Sequence, residues 1–219
     1  MRLIQVIAGP VPSIPAVFNP HAMMEHQIKV SSNHVRAFFD EIDSALDKGE
    51  SVKNAIRSPK GGLQDDRFDG IFSRLISQAR LAGFGHGASV SKKSMPAMYG
   101  RDVSDRANVR ASKVNDWMKR STRKWLTAVP ESDYVLGKER AMRAAQYEAS
   151  RAYFQGLKDA VGGANFEKAW LTSAGESCED CQANEDEGGI PVADSFSSGH
   201  GYPPAHLSCA CFVTMSKGA

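Results

Sequence analysis

The chain has 219 residues, 42% of them hydrophobic and 24% charged, with a formal net charge of +2. That length allows one ordinary domain and a smaller appendage, and no run approaches the roughly 18 uninterrupted apolar residues of a membrane span. The total charge is too small to imply a partner, but its placement is uneven: Lys92 to Lys124 holds ten Lys or Arg against three Asp, and Glu176 to Asp194 holds seven Asp or Glu and no Lys or Arg.

Residues 1–32 form the first predicted unit, an extended arm. Pro10, Pro12, Pro15 and Pro20 each fix φ and remove an amide donor, which disfavours both helix and central strand. A solvated tail and an arm lying on a neighbouring subunit are equal alternatives. The same prolines interrupt the apolar start, so the continuous hydrophobic region of a signal peptide is missing, and the expected location is the cytoplasm where the chain is made.

Residues 33–165 read as a helical domain of four helices. Asn33 is the expected cap of the first, with Val35, Phe38, Phe39, Ile42, Ala45 and Leu46 at helical offsets and Lys48-Gly49 as its stop. The second covers Arg67 to Ala82, with Phe68, Ile71, Phe72, Leu75, Ile76 and Ala79 on one side, and ends at Gly83. The glycine- and serine-rich segment 83–100 is the expected loop.

The third helix is placed at Ser104 to Thr127. Val114, Trp117, Met118, Ser121 and Trp125 line one side, and Arg106, Arg110, Lys113, Lys119, Arg120, Arg123 and Lys124 the other. That basic face suits DNA phosphates, an acidic protein neighbour, or simply solvent. Pro130 ends this helix. The fourth runs from about Tyr134 to Val161, carries a stripe of Ala141, Ala144, Ala145, Ala149 and Ala152, and stops at Gly162-Gly163. Small residues at that spacing predict close packing against another helix.

Residues 166–219 form the third predicted unit, with short strands at Glu167–Leu171 and Cys211–Met215. So little apolar material needs a staple to fold. All four cysteines lie here, in the string Cys178-Glu-Asp-Cys181 and then His206-Leu-Ser-Cys209-Ala-Cys211. A CxxC turn brings two thiolates to one ion, and zinc prefers a tetrahedron of thiolate and imidazole. Five candidates for four places leave one spare, which spacing does not identify. If Phe212 begins a strand, Cys209 and Cys211 point the same way.

Zinc is the favoured cofactor, in a structural role. Two disulfides fit an exported chain, which nothing here suggests. A redox CxxC would open a helix after a strand, and here it sits among acids that raise thiol pKa. A rubredoxin-like iron centre has the same donor preference, and catalytic zinc needs an open position and a nearby acid or base. Elsewhere His86 lies in GFGHG, which lacks the lysine and serine of a phosphate loop. No carboxylate pair, nucleophile or oxyanion donors assemble by spacing.

The C-terminal part resembles the phage Mu F-like minor head protein family. The resemblance rests on Glu139 to Gly156 as a glutamate-bearing, small-residue helix, then Lys168-Ala-Trp170 as a Lys-Trp segment, Cys178-Glu-Asp-Cys181, the turn at Ile190 to Phe196, and the ending Pro203 to Cys211. Leu207 and Ala210 stand where the family usually has proline and arginine. Residues 1–130 carry no such resemblance.

These observations lead us to expect a mainly α protein with a small α+β zinc-stapled C-terminal subdomain and an extended, proline-rich N-terminal arm. The resemblance implies a non-enzymatic minor head or capsid-associated protein of a tailed bacteriophage. Such a protein is made in the host cytoplasm and built into the virion head in several copies. Its implied partners are the portal and major capsid protein, and packaged DNA through the basic helix 106–124. An ADP-ribosyltransferase-like enzyme, with Glu148 as its nominated residue, is one alternative. A stand-alone DNA-binding zinc protein is the other.

Overall fold

The computed structural model describes residues 17–18, 33, 35–37, 39–51, 54–55, 65–92, 96, 98–110, 113, 134–162, 165–172, 177–206 and 209–218. Apolar residues at helical spacing build the first helix, α1 (residues 39–46, with 33 and 35–37 also helical), and bury Val35, Phe39 and Ile42. Gly49, at φ 84, ends it. Its N–H donates to Leu46 O at 2.8 Å and that of Glu50 to Ala45 O at 3.1 Å, the double bond of a Schellman motif. Asn33 is itself helical and exposed, so it does not cap α1 as expected.

Helix α2 (Asp65–Ser91) runs 27 residues, through Gly83, Gly85 and Gly87. The expected stop at Gly83 and loop from residue 83 are therefore wrong up to residue 91. The reason is packing against α4 (Tyr134–Val161). A Cβ at Gly83 would lie 1.9 Å from Tyr153 O, one at Gly87 2.9 Å from Leu157 O, and one at Gly156 1.9 Å from Arg80 O. The two backbones touch where a side chain would otherwise stand, and this contact outweighs the roughly 1 kcal/mol that each helical glycine costs relative to alanine. Gly85 meets open space, and nothing in the packing explains it.

Helix α4 has the expected bounds. Its alanine stripe, Ala141, Ala144, Ala145, Ala149 and Ala152, is buried throughout. Arg80, Tyr99, Gln155 and Asp159 close the α2–α4 contact at one end. Arg80 and Tyr99 each reach Asp159 Oδ2 at 2.7 Å, and Gln155 Nε2 donates to Asp159 Oδ1 at 3.1 Å. Lys138 pairs with Asp43, joining α4 to α1.

Helix α3 (residues 99–110) starts before the expected Ser104 and buries Val103 and Ala107. Lys113 is helical too. The predicted apolar positions from Val114 to Trp125 lie outside the described residues, as do Lys119, Arg120, Arg123 and Lys124. Among the described residues no helix is long and apolar enough to cross a membrane.

The C-terminal part forms an antiparallel sheet in the order β1-β4-β2-β3: β1 (Val17–Phe18), β2 (Phe166–Leu171), β3 (Gly189–Pro191) and β4 (Phe212–Lys217). Both strands predicted here are present, each within a residue or two of its expected bounds. Trp170 faces Val213 and Leu171 faces Phe212. Strand alternation turns Phe166, Lys168 and Trp170 of β2, and Val213 and Met215 of β4, to the buried side. Of the predicted arm, Val17 and Phe18 are described; they pair with Ser216 and Met215 at the outer edge of β4. The rest of the arm lies outside the described residues.

One hydrophobic cluster runs from Val35 and Phe39 through α2 and α4 to Trp170, Cys211 and Met215. Phe154 of α4 stacks on Tyr202 at 5.5 Å. The boundary expected after residue 165 is thus a change from helix to sheet within a continuous core.

Candidate metal centre

Leaving β2, the chain reaches α5 (Glu179–Glu187), whose N-cap is Cys178 at φ −72°, ψ 161°. The Cys178 sulfur accepts from the Cys181 N–H at 3.4 Å. This bond occupies an otherwise orphaned donor of the first turn and brings the two sulfurs of the CxxC to one side. Cys181 is buried and Cys178 half-buried. From the other direction, the Cys209 N–H donates to His206 O at 3.0 Å. The resulting turn delivers Cys209 and Cys211 just before β4 starts at Phe212.

These two segments meet. Cys181 Sγ lies 3.7 Å from Cys209 Sγ and 4.0 Å from His206 Nε2. The ligand atoms of Cys178, Cys181 and His206 all lie within 4.8 Å of one another, and so do those of Cys181, Cys209 and Cys211. All five residues singled out from the sequence therefore converge, with Cys181 common to both groups. All four cysteines are free. With metal–sulfur bonds of about 2.3 Å, two tetrahedral thiolates stand about 3.8 Å apart, so the Cys181–Cys209 separation fits one shared ion. Either group supplies three of the four positions of a tetrahedron, with Cys181 common to both and the fourth available from the other group.

The electrostatics fit the same occupant. Burial, first, and the neighbouring sulfurs push the Cys181 thiol up to about 12. Cys209 is held down to about 5, chiefly by the hydrogen bond from the Cys211 thiol, which is itself raised. Crowded sulfurs cannot all be anions by themselves, and a divalent cation at their centre removes that conflict. The sequence argument against a redox pair loses one ground here, since Cys178 does open a helix after a strand. Against a two-cysteine redox site stand the further sulfurs and the imidazole gathered on Cys181.

Side chains around the cluster fix the return loop. Lys168, on the buried face of β2, donates to Asp194 O at 2.6 Å and Val192 O at 3.2 Å, with its Nζ 4.0 Å from the Tyr202 ring centroid. Tyr202 Oη also donates to Val192 O, at 3.0 Å. Thr172 donates through N and Oγ1 to Glu185 Oε1 and Oε2 at 3.2 and 2.6 Å, tying α5 to the end of β2. Trp170 meets Phe196 edge-on at 5.3 Å. The buried role of Lys168 was legible from the alternation Phe166, Lys168, Trp170. The Thr172–Glu185 clasp, spanning a turn and a helix, carried no sequence signal.

Burial lowers the Lys168 pKa from 10.5 to about 8, helped by the charge of Lys158 and opposed by Asp194. The unfolded chain then binds more protons than the folded one between about pH 8 and about pH 10.5. Stability should rise with pH through that window, the cost of charging Lys168 being fully present below it. Urea unfolding across the window should show this gain in the parent protein relative to Lys168→Met. Parallel profiles for the two would contradict it.

The other nominated residues are placed as follows. Glu148, 7% exposed, is held by Arg110, with Nη2 to Oε1 at 2.8 Å and Nε to Oε2 at 3.1 Å. Arg106 pairs with Asp102 at 3.0 Å, and Lys113 is exposed. His86 lies within α2, its Nδ1 2.7 Å from Tyr153 Oη, so GFGHG is helix and not a loop. No family model matches the chain, and no curated protein or solved structure gives a significant match.

Proposed function

We propose that the chain is a structural, zinc-stapled minor head component of a tailed bacteriophage, built into the virion near the portal or the genome. The observation that carries this reading is the convergence of Cys178, Cys181, His206, Cys209 and Cys211 on one point, in a chain whose motif order resembles the Mu F-like proteins. Zinc is the metal of choice for a tetrahedral, thiolate-rich set without redox demands. Bound there, it would supply folding free energy to a segment with little apolar surface of its own.

The residues divide the work. The cysteines close the return loop between α5 and β4, Lys168 and Tyr202 hold that loop's carbonyls, and Phe154 against Tyr202 couples the module to α4. A rigid module presented on a helical body suits attachment to a portal or capsid neighbour. The basic segment 106–124 supplies charge toward DNA or an acidic surface, through Lys113 and the Lys and Arg residues that follow it in sequence, since Arg106 and Arg110 are paired within the chain. Commitment of Glu148 to Arg110 weighs against the transferase alternative.

Mass spectrometry of purified phage particles, with copurification on portal and capsid protein, tests the proposal. The chain should be present in mature heads in several copies and absent from the tail fraction. Its absence from particles, or NAD turnover by the purified protein, would overturn it.

A further inference from the structure

Two buried side chains have polar atoms without hydrogen-bond partners among the described residues, and both flank cysteines of the cluster. One is Trp170, fully buried, whose indole Nε1 is unpaired; the other is Asn184, fully buried, with both amide atoms unpaired. Asn184 lies three residues after Cys181, and these two are the buried residues of α5. Trp170 faces Val213 across the β2–β4 ladder. Cys211 stands two residues before Val213, so it is the diagonal neighbour of Trp170, within reach of a long aromatic side chain.

An orphaned donor in a packed core calls for an explanation. A thiol is a weak acceptor and a thiolate a much stronger one. Cys211 is buried, as are Trp170 and Val213, so the donor and the sulfur share the packed interior.

We infer that the Trp170 indole N–H donates a hydrogen bond to the Cys211 sulfur in the metal-loaded protein, making Trp170 a positioning residue of the centre. The inference rests on the metal reading above. It explains why a tryptophan is suited to this buried strand position, where phenylalanine would fill the space without leaving a donor unpaired. A hydrogen bond from outside the ligand set orients the sulfur and disperses its charge.

Cobalt(II) titration of the full-length chain and of Trp170→Phe tests it. The variant should bind about 10-fold or more weakly. Its sulfur-to-cobalt charge-transfer band should move to lower energy, because the sulfur lone pair loses a stabilising proton. Equal affinity with an unmoved band in the variant overturns the inference while leaving the metal centre intact. A parent protein that takes up no cobalt overturns both. Should Trp170→Phe fail to fold, the indole resonance of Trp170 in the parent decides. On loading with zinc it should move downfield and exchange more slowly; an unmoved resonance overturns the inference.

Discussion

Cys181→Ser should strip the metal from the protein and lower its thermal stability more than loss of any other cysteine. Cys181 is the sulfur shared by both ligand groups, standing 3.7 Å from Cys209 and 4.0 Å from His206 Nε2. Structural zinc sites supply about 10–16 kcal/mol in apparent binding free energy, so a quarter share corresponds to roughly 3 kcal/mol, or more than about 100-fold in affinity. His206→Ala should change affinity far less, because the imidazole is exposed whereas Cys178 is fixed by its bond to the Cys181 N–H. Chelator competition read alongside thermal unfolding measures both. A Cys181→Ser protein that retains its metal would refute this assignment.

The second large effect lies in the helices. Gly83→Ala should destabilise the fold by about 3 kcal/mol or more, at or above the upper range for overpacking. The new methyl would sit 1.9 Å from Tyr153 O, a backbone atom that cannot swing aside. Gly156→Ala meets Arg80 O at the same distance from the opposite side and should behave alike. Gly85→Ala provides the contrast. Nothing lies within 4 Å of its added Cβ, so helix propensity alone acts, and it should stabilise by about 0.5–1 kcal/mol. Denaturant titrations of the three variants check the ordering. Equal effects at Gly83 and Gly85 would mean that α2 and α4 do not touch as described.

The same glycines show where sequence reasoning stopped. In GFGHG the local signal is a helix breaker, and only the backbone of α4 across the contact turns Gly83 and Gly87 into an advantage. The alanine stripe of α4 did announce a close partner, yet nothing in it pointed to α2. Helix α4 and strands β2 and β4 were legible because local preference and tertiary packing agree there: a small-residue stripe at helical offsets, and FEKAWL alternating into the core. The clustering of the four cysteines with His206 was legible for a different reason. Two short, ligand-dense segments can meet at one point whatever the chain between them does. The partners that secure this meeting were not. Thr172 with Glu185, and the stranded polar groups of Trp170 and Asn184, depend on which atoms folding buries together.

The N-terminal arm sits between these cases. Its prolines argue against a central strand, and Val17 and Phe18 form a two-residue pairing at the sheet edge, where a chain lacking amide donors is tolerated. That pairing brings Val17 and Phe18 to β4, the strand that follows Cys211 directly.

The central claim, that one cation gathers these side chains, is tested most directly by native mass spectrometry of full-length protein prepared without added metal or chelator. The account predicts one zinc ion per chain and free thiols at all four cysteines after acid release. A metal-free mass, or one two or four hydrogens lighter because cystine bridges have formed, would contradict it.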